Sequence, residues 1–497
     1  MKFTYNYDKE VLRDKVCELL WDVGVKIEND ELEEIMIKNG FKLGSNGRVK
    51  IPKNLIDDFV IYQKSKKNTD EEDEKLYSYY GVDFAHFLIW SGRKKEALEK
   101  MESKLMVAVF DCGPMKYYDY LTDKLVSNDT DIFIEMMKFA QATDDIGYIS
   151  GWYRTDVPQR TERLDALILA LQYTDKYDGS EAIYPEVIKY LIEISEIISG
   201  IPGDTRYLAG SECFTSPLIF EKRSSADTLE RAKRKVKRYH IASMPTIGVA
   251  SPLAVADSIV LGAAEILGGL VIANCVDPDS DLSGRMISDM LDMRSANTSC
   301  SMPDCAVVNL CVKDLFDTFW GGNLWVETFM GAAAKKPGLQ AVYENLFGAF
   351  CCSFITGIVD KPYPLFGVLD KGGVGSPTQA ILDIEIRKSQ FYLKNKISIN
   401  EDHMPWGEFK KIVSEGGSFL ENKHTLDHFR EKFSSNIFLT KEPWSNDWDG
   451  TEKNILDVCD NLWRKNIKQN YKEPVLLNED KKRELQKILE RAKRELL

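Results

Sequence analysis

Two of the five histidines of this 497-residue chain stand four apart in the stretch GGSFLENKHTLDHF: His424 and His428, with Asp427 beside the second. A pair at that spacing can hold a metal if both rings lie on one helix face. Thr425, however, is a good helix N-cap, and Asp427 would then fall in the first turn, where the helix dipole favours a carboxylate. His424 would precede the helix and His428 lie within it, with no third ligand nearby. No metal site is therefore expected, and the stretch reads as a turn at Gly416 and Gly417 held down by Phe419 and Leu420. The ten cysteines include no CxxC pair. Cys300 and Cys305, and the adjacent Cys351 and Cys352, are poorly spaced for zinc and read as packed thiols.

A richer set of reactive groups gathers where strands are expected to end. Trp152, Tyr153 and Arg154 follow IGYIS. Glu212, Ser216 and Pro217 lie at the end of RYLAGSECF, and Ser251 and Pro252 follow ASMPTIG. Arg294 and Asn297 lie in MLDMRSANTS. Glu327, Met330 and Gly331 lie on or after LWVETFMG, and Tyr363 and Phe366 fall in PYPLFG. The set holds aromatics and carboxylates but no histidine, which disfavours Ser-His-Asp catalysis and histidine-rich zinc sites. Aromatic faces with acids nearby suit a cationic ligand such as a quaternary ammonium. The same aromatics would serve equally as packing at a barrel mouth.

These positions presuppose elements that carry them. Residues 8–62 show helical periodicity, with Asn29 and Asp30 as caps. KSKKNTDEEDEK reads as a solvated connector. From Tyr77 to about Asp123 the pattern is strand-like, VAVFDCGP and KYYDYLTDK suggesting a hairpin or small sheet. From about Asp131, helical and strand segments alternate, which predicts a parallel sheet covered on both faces. Their number and span match a (β/α)8 TIM barrel, and no GxGxxG follows the first strand. The expected α/β architecture is an N-terminal helical and hairpin region over 1–130, a barrel over 131–400 and a helical extension over 401–497.

The bulk properties narrow the class of partner. Net charge is −13 and the pI about 5.2, which argues against nucleic acid as a ligand. The basic run RAKRKVKR reads as a solvated helix face. The apolar stretch from Ser258 to Val276 carries Glu265 and several glycines and reads as a buried helix, not a membrane span. MKFTYNYDKE lacks an apolar secretory core, so a cytoplasmic protein with reduced thiols is expected.

The motifs DVGVKIENDELEEIMIKNGFKLGSNGRVKIPKNLI, CFTSPL, GVASPLAVADSIVLGAAEILGGLVIAN, AKKPGLQAVYEN, SPTQAILDIEI and GGSFLENKHTLDHF follow in order along nearly the whole chain. Together they resemble the trimethylamine–corrinoid methyltransferase superfamily. The resemblance implies a (β/α)8 barrel that moves a methyl group from a methylated amine to the Co(I) of a separate, cognate corrinoid protein. It implies no tightly bound cofactor, the corrinoid being supplied by that partner. Trimethylamine enzymes of the superfamily carry pyrrolysine at a position that falls here on Gly331, in FMGAAAKK. The resemblance therefore implies the non-pyrrolysine branch, whose substrates are quaternary amines such as glycine betaine.

Such a substrate leaves as a neutral tertiary amine and needs no general acid at transfer; holding and aiming it carry most of the work. By strand-end position, Trp152, Tyr153, Trp320, Trp325, Tyr363 and Phe366 are cage candidates. Glu212 and Glu327 would attract the cation, and Arg154 and Arg294 would receive a betaine carboxylate. The polar stretch DPDSDLSGRMISDMLDM, and Ala333 where an acid is usual, depart from the superfamily pattern near the barrel mouth and leave the substrate open. Two other readings stay open: a barrel lyase or hydrolase using Glu212 and Glu327 as acid and base, and a non-catalytic binder of a methylated amine or corrinoid protein. A homo-oligomer is expected, from apolar faces on the terminal helices.

Overall fold

The computed structural model describes residues 7–66, 70–80, 82–110, 113–321, 325–328, 331–356, 366–393, 397, 399–400, 402–431, 437 and 452–497. Its centre is a series of parallel strands taken in sequence order: β1 (Val107–Val109), β2 (Ile146–Ile149), β3 (Ser180–Glu181), β4 (Leu208–Ala209), β5 (Glu212–Thr215), β6 (Arg238–Ser243), β7 (Asp281–Met286) and β8 (Trp325–Thr328). β1 pairs with β2, and Ile149 bridges Tyr177 at the approach to β3. β3 pairs with β4, β5 with β6, β6 with β7, and β7 with β8. Only Gly210 and Ser211 separate β4 from β5, so the two form one bent strand, the bend set by Gly210 at φ +102°. On the far side, Val109 of β1 bridges Phe366 in parallel. No pairing among the described residues joins β8 to Phe366, so the fold is a mixed α/β sheet whose closure is not seen.

Helices cover the sheet as the alternating pattern predicts. Thr130–Ala142, Glu162–Tyr173, Ile188–Ser199 and Pro377–Tyr392 all match expected helices. The long apolar segment forms the helix Val255–Val276, long and apolar enough to cross a membrane by composition; its residues from Ser258 to Ala273 are nearly all buried in the protein. It packs against β6 and β7 on one side and the N-terminal helix Lys9–Asp22 on the other. The C-terminal helices Glu452–Asn470 and Glu479–Leu496 complete the helical layer against Thr130–Ala142, Pro377–Tyr392 and Ile188–Ser199.

Four expectations are corrected. The segment from Tyr77 is not strand-like: Glu71–Tyr80, Val82–Trp90 and Lys94–Ser103 are helices. Their aromatic residues Tyr79, Tyr80, Phe84 and Phe87 pack against Met106, Ala108 and Tyr148 of the sheet. Tertiary burial there overrides the strand preference of aromatic residues. VAVF does not form a hairpin with KYYD; it joins the parallel series as β1, while Lys116–Asp119 pairs antiparallel with Lys124–Ser127 and parallel with Val374–Gly375. DLSGRM, read only as a polar stretch, is β7, and MLDMRSANTS is an antiparallel hairpin of Asp289–Asp292 with Asn297–Ser299. The basic run is not a free solvated face either, because Arg231 and Arg238 are buried.

Candidate functional site at the carboxyl ends of the strands

A cavity of about 230 Å³ opens where β2 to β7 end. Its wall follows the two-residue period of a strand. Cys213 of β5 and Ser211 just before it, Ala242 of β6 and Met244 just after it, and Arg285 of β7 and Ile287 just after it face the cavity. Cys213, Ala242 and Arg285 form one row, since Cys213 registers with Ala242 and Ala242 with Arg285. The residues between them face the helices instead: Phe214 and Ile241 lie in the apolar core beneath Val255–Val276.

The other side of the cavity is built by Tyr153, Arg163, Asp178 and Glu181. The Arg163 guanidinium lies 3.4 Å from the Tyr153 ring centroid and donates to the Trp152 carbonyl at 3.2 Å. Its charge is met by Glu162, whose other oxygen accepts the Arg154 N–H at 2.8 Å. Close approach here needs glycine: a Cβ on Gly113 would stand 2.6 Å from the Tyr153 ring, and one on Gly210 would stand 2.5 Å from Glu181 Cγ. Glu181 pairs with Arg223 at 2.7 Å, and Asp178 accepts from the Tyr148 hydroxyl. Burial pushes the Cys213 thiol up to about 12, so it is protonated at neutral pH.

Of the residues singled out from the sequence, Tyr153 lies in this wall. Trp152 is fully buried, packed edge-to-face on Phe110 at 4.8 Å and against Gly375. Arg154 turns to the helix layer, held by Asp165 at 2.6 Å and by Thr130. Glu212 is one residue out of phase with the cavity. It faces the helix Lys222–Lys233, bonded to Arg231 at 2.7 Å and to the His240 N–H at 3.1 Å, with Asp227 on the same arginine. Burial and the nearby Asp227 push its carboxyl up, against the pull of Arg231. Arg294 sits exposed in the turn of the Asp289–Ser299 hairpin and does not line the cavity. Trp320 is buried against Phe316 in the core beneath the sheet, and Phe366 is buried beside β1. Gly331 is buried, its backbone hydrogen-bonded to the Cys300 thiol. Tyr363, and the side chains of Trp325 and Glu327, lie outside the described residues; in backbone register Glu327 pairs with Arg285.

Residues 85–496 match the trimethylamine methyltransferase (MTTB) family along most of the chain. The chain belongs to that family. Among curated members, the glycine betaine methyltransferase of Desulfitobacterium hafniense (strain Y51) is 24% identical over 290 residues, 56% of this chain and 57% of that protein. The trimethylamine methyltransferase MttB of Methanosarcina barkeri (strain Fusaro / DSM 804) is 22% identical over 489 residues, 96% of this chain and 92% of that protein. A crystal structure of a hydroxylamine MtmB complex aligns over 100% of this chain and 98% of its own at 11% identity, with a TM-score of 0.36, too low to carry a fold assignment.

The histidine pair is arranged differently from expectation. Asn422, not Thr425, caps the short helix Lys423–His428 by accepting the Thr425 N–H. Both histidines therefore share that helix, their rings 4.4 Å apart. His424 is spoken for by the Asp402 carbonyl at 2.8 Å, and no cluster of three or more metal-binding side chains occurs among the described residues.

Five ionisable wall residues were missed: Arg163, Asp178, Glu181, Cys213 and Arg285. Arg163 carried a readable signal: it is the second residue of Glu162–Tyr173, where a cation opposes the helix dipole. Glu181, Cys213 and Arg285 carried none, since which face of a short strand looks inward follows from register alone.

Proposed function

We propose that this protein is a methyltransferase that moves a methyl group from a quaternary amine to the Co(I) of a cognate corrinoid protein. What supports this most directly is a cavity at the strand ends of a family member, walled by both guanidinium and carboxylate groups around the Tyr153 ring. The likeness to a glycine betaine methyltransferase favours a substrate with a quaternary nitrogen and a carboxylate. In this reading the substrate nitrogen lies toward Tyr153 and Glu181, and its carboxylate toward Arg285. The cobalt electron pair forms the carbon–cobalt bond as the carbon–nitrogen bond breaks. The nitrogen keeps its pair and leaves as a neutral tertiary amine, with no proton to move. The protein supplies orientation and electrostatic placement.

The same reading takes the strand series as a (β/α)8 barrel, supported by the sequence-ordered parallel pairings and the bridge from Val109 to Phe366. It places the corrinoid partner over the carboxyl ends of the strands, and the enzyme in the cytoplasm as a homo-oligomer. The test is methylcobalamin formation from Co(I) cobalamin across a panel of betaines, choline and trimethylamine. Transfer from a betaine supports the assignment. Turnover without cobalamin would point to the lyase or hydrolase reading, and binding without turnover to a sensor.

A further inference from the structure

Glu265 sits midway along the apolar helix Val255–Val276 and is 0% exposed. Among the described residues no cation pairs with it. Its carboxylate instead accepts three hydrogen bonds: from Ser243 Oγ at 2.6 Å, from Ser216 Oγ at 2.9 Å and from the Leu218 N–H at 2.9 Å. Burial pushes its carboxyl up, and these three donors hold it down. A buried carboxylate without a counter-charge opposes folding, and an apolar side chain would suit this helix better. What the carboxylate holds gives the reason for its presence. Ser243 is the last residue of β6, and Met244 beside it lines the cavity. Ser216 and Leu218 lie in the turn that ends β5, Ser216 three residues beyond Cys213; Leu218 takes the left-handed conformation at φ +54°.

We propose that Glu265 is a positioning residue. It ties the carboxyl ends of β5 and β6 to one point and so fixes the wall formed by Cys213, Ala242 and Met244. The functional part of this inference rests on the reading of that cavity as the substrate site. Glu265 touches no substrate. It acts through the two strand ends.

The test uses the full chain with Glu265→Gln and Glu265→Leu. Glutamine can accept from Leu218 with its oxygen and donate to one serine with its nitrogen. Leucine keeps the volume and leaves all three donors unmet. The first readout needs no activity: the rate at which iodoacetamide labels Cys213, followed by peptide mass spectrometry. Freed strand ends open more often, so Glu265→Leu should label roughly tenfold faster, with Glu265→Gln close to wild type. The second readout is the methyl-transfer assay, in which Glu265→Leu should raise KM for the betaine more than it lowers kcat, and Glu265→Gln should restore it. If Glu265→Leu folds poorly, Ser243→Ala, which removes one arm, takes its place. A folded Glu265→Leu with wild-type labelling of Cys213 overturns the proposal. If the wild-type protein transfers no methyl group, the functional reading fails, and the labelling comparison still decides whether Glu265 holds the wall.

Discussion

At the scale of residues, neighbouring side chains on one strand have opposite fates. Cys213 looks into the cavity, while Glu212 is sealed under Arg231 on the helix side. The wall carboxylates are Asp178, which accepts from Tyr148, and Glu181, which shares its charge with Arg223; Glu181 is proposed as the one that meets the cation. Glu181→Gln should raise KM for a quaternary amine about tenfold, the loss of roughly 1.4 kcal/mol of attraction, with kcat little changed in steady-state methyl transfer. A second prediction concerns Asp383, which is buried and accepts from Asn345, Gln379 and the Gly367 N–H. Burial pushes its carboxyl up to about 7 against those donors. Below the ordinary aspartate range near 4, the folded and unfolded chains both hold the proton and its contribution is complete. As pH rises the unfolded chain releases the proton first, so stability declines until the folded group ionises at about 7. Asp383→Asn should flatten that decline in urea unfolding followed from pH 4 to 8.

At the scale of elements, the bend between β4 and β5 decides where Glu181 lies. Gly210→Ala forces a side chain onto a backbone at φ +102° and into Glu181 Cγ. The variant should lose about 1–3 kcal/mol of stability and reproduce the KM defect of Glu181→Gln; a normal KM would show that Glu181 does not depend on this bend. The helices were legible because their periodicity runs over long segments. Thr130–Ala142 and Pro377–Tyr392 needed only apolar spacing and caps such as Ser376, whose oxygen accepts the Gln379 N–H. The strands were less so. β3 and β4 are two residues each, too short to show alternation, and β7 carries serine, glycine and arginine in place of the branched residues that announce a strand. The candidate site inherited that difficulty. Strand ends could be located along the chain, but Trp152, Arg154 and Glu212 were chosen without knowing their face, and among the described candidates only Tyr153 lines the cavity. The aromatic run from Tyr77 misled for the opposite reason, since its side chains suit a strand and were used to pack helices.

At the scale of the whole molecule, the acidic surface is laced with local pairs. The basic run is absorbed by Glu31, Glu230 and Asp277 as well as by the buried cluster around Arg231. The family relation extends to residue 496, and the packing gives that extent a physical meaning. Trp463 is fully buried against Phe139, 6.1 Å between ring centres, and Asp460 accepts from Thr378 at 2.9 Å. Lys493 reaches Asp165, the carboxylate that also holds Arg154. A chain cut before Glu452 should therefore bind a hydrophobic dye and lose its cooperative thermal transition, and the separately made 452–497 segment should restore both when added back. During synthesis the order matters as well. Phe139 and its helix emerge more than three hundred residues before Trp463, so this apolar face must wait, exposed, for the helix Glu452–Asn470 to arrive. The core closes only after the Trp463 helix has been made, which makes the nascent protein a natural client for chaperones that cover apolar surface.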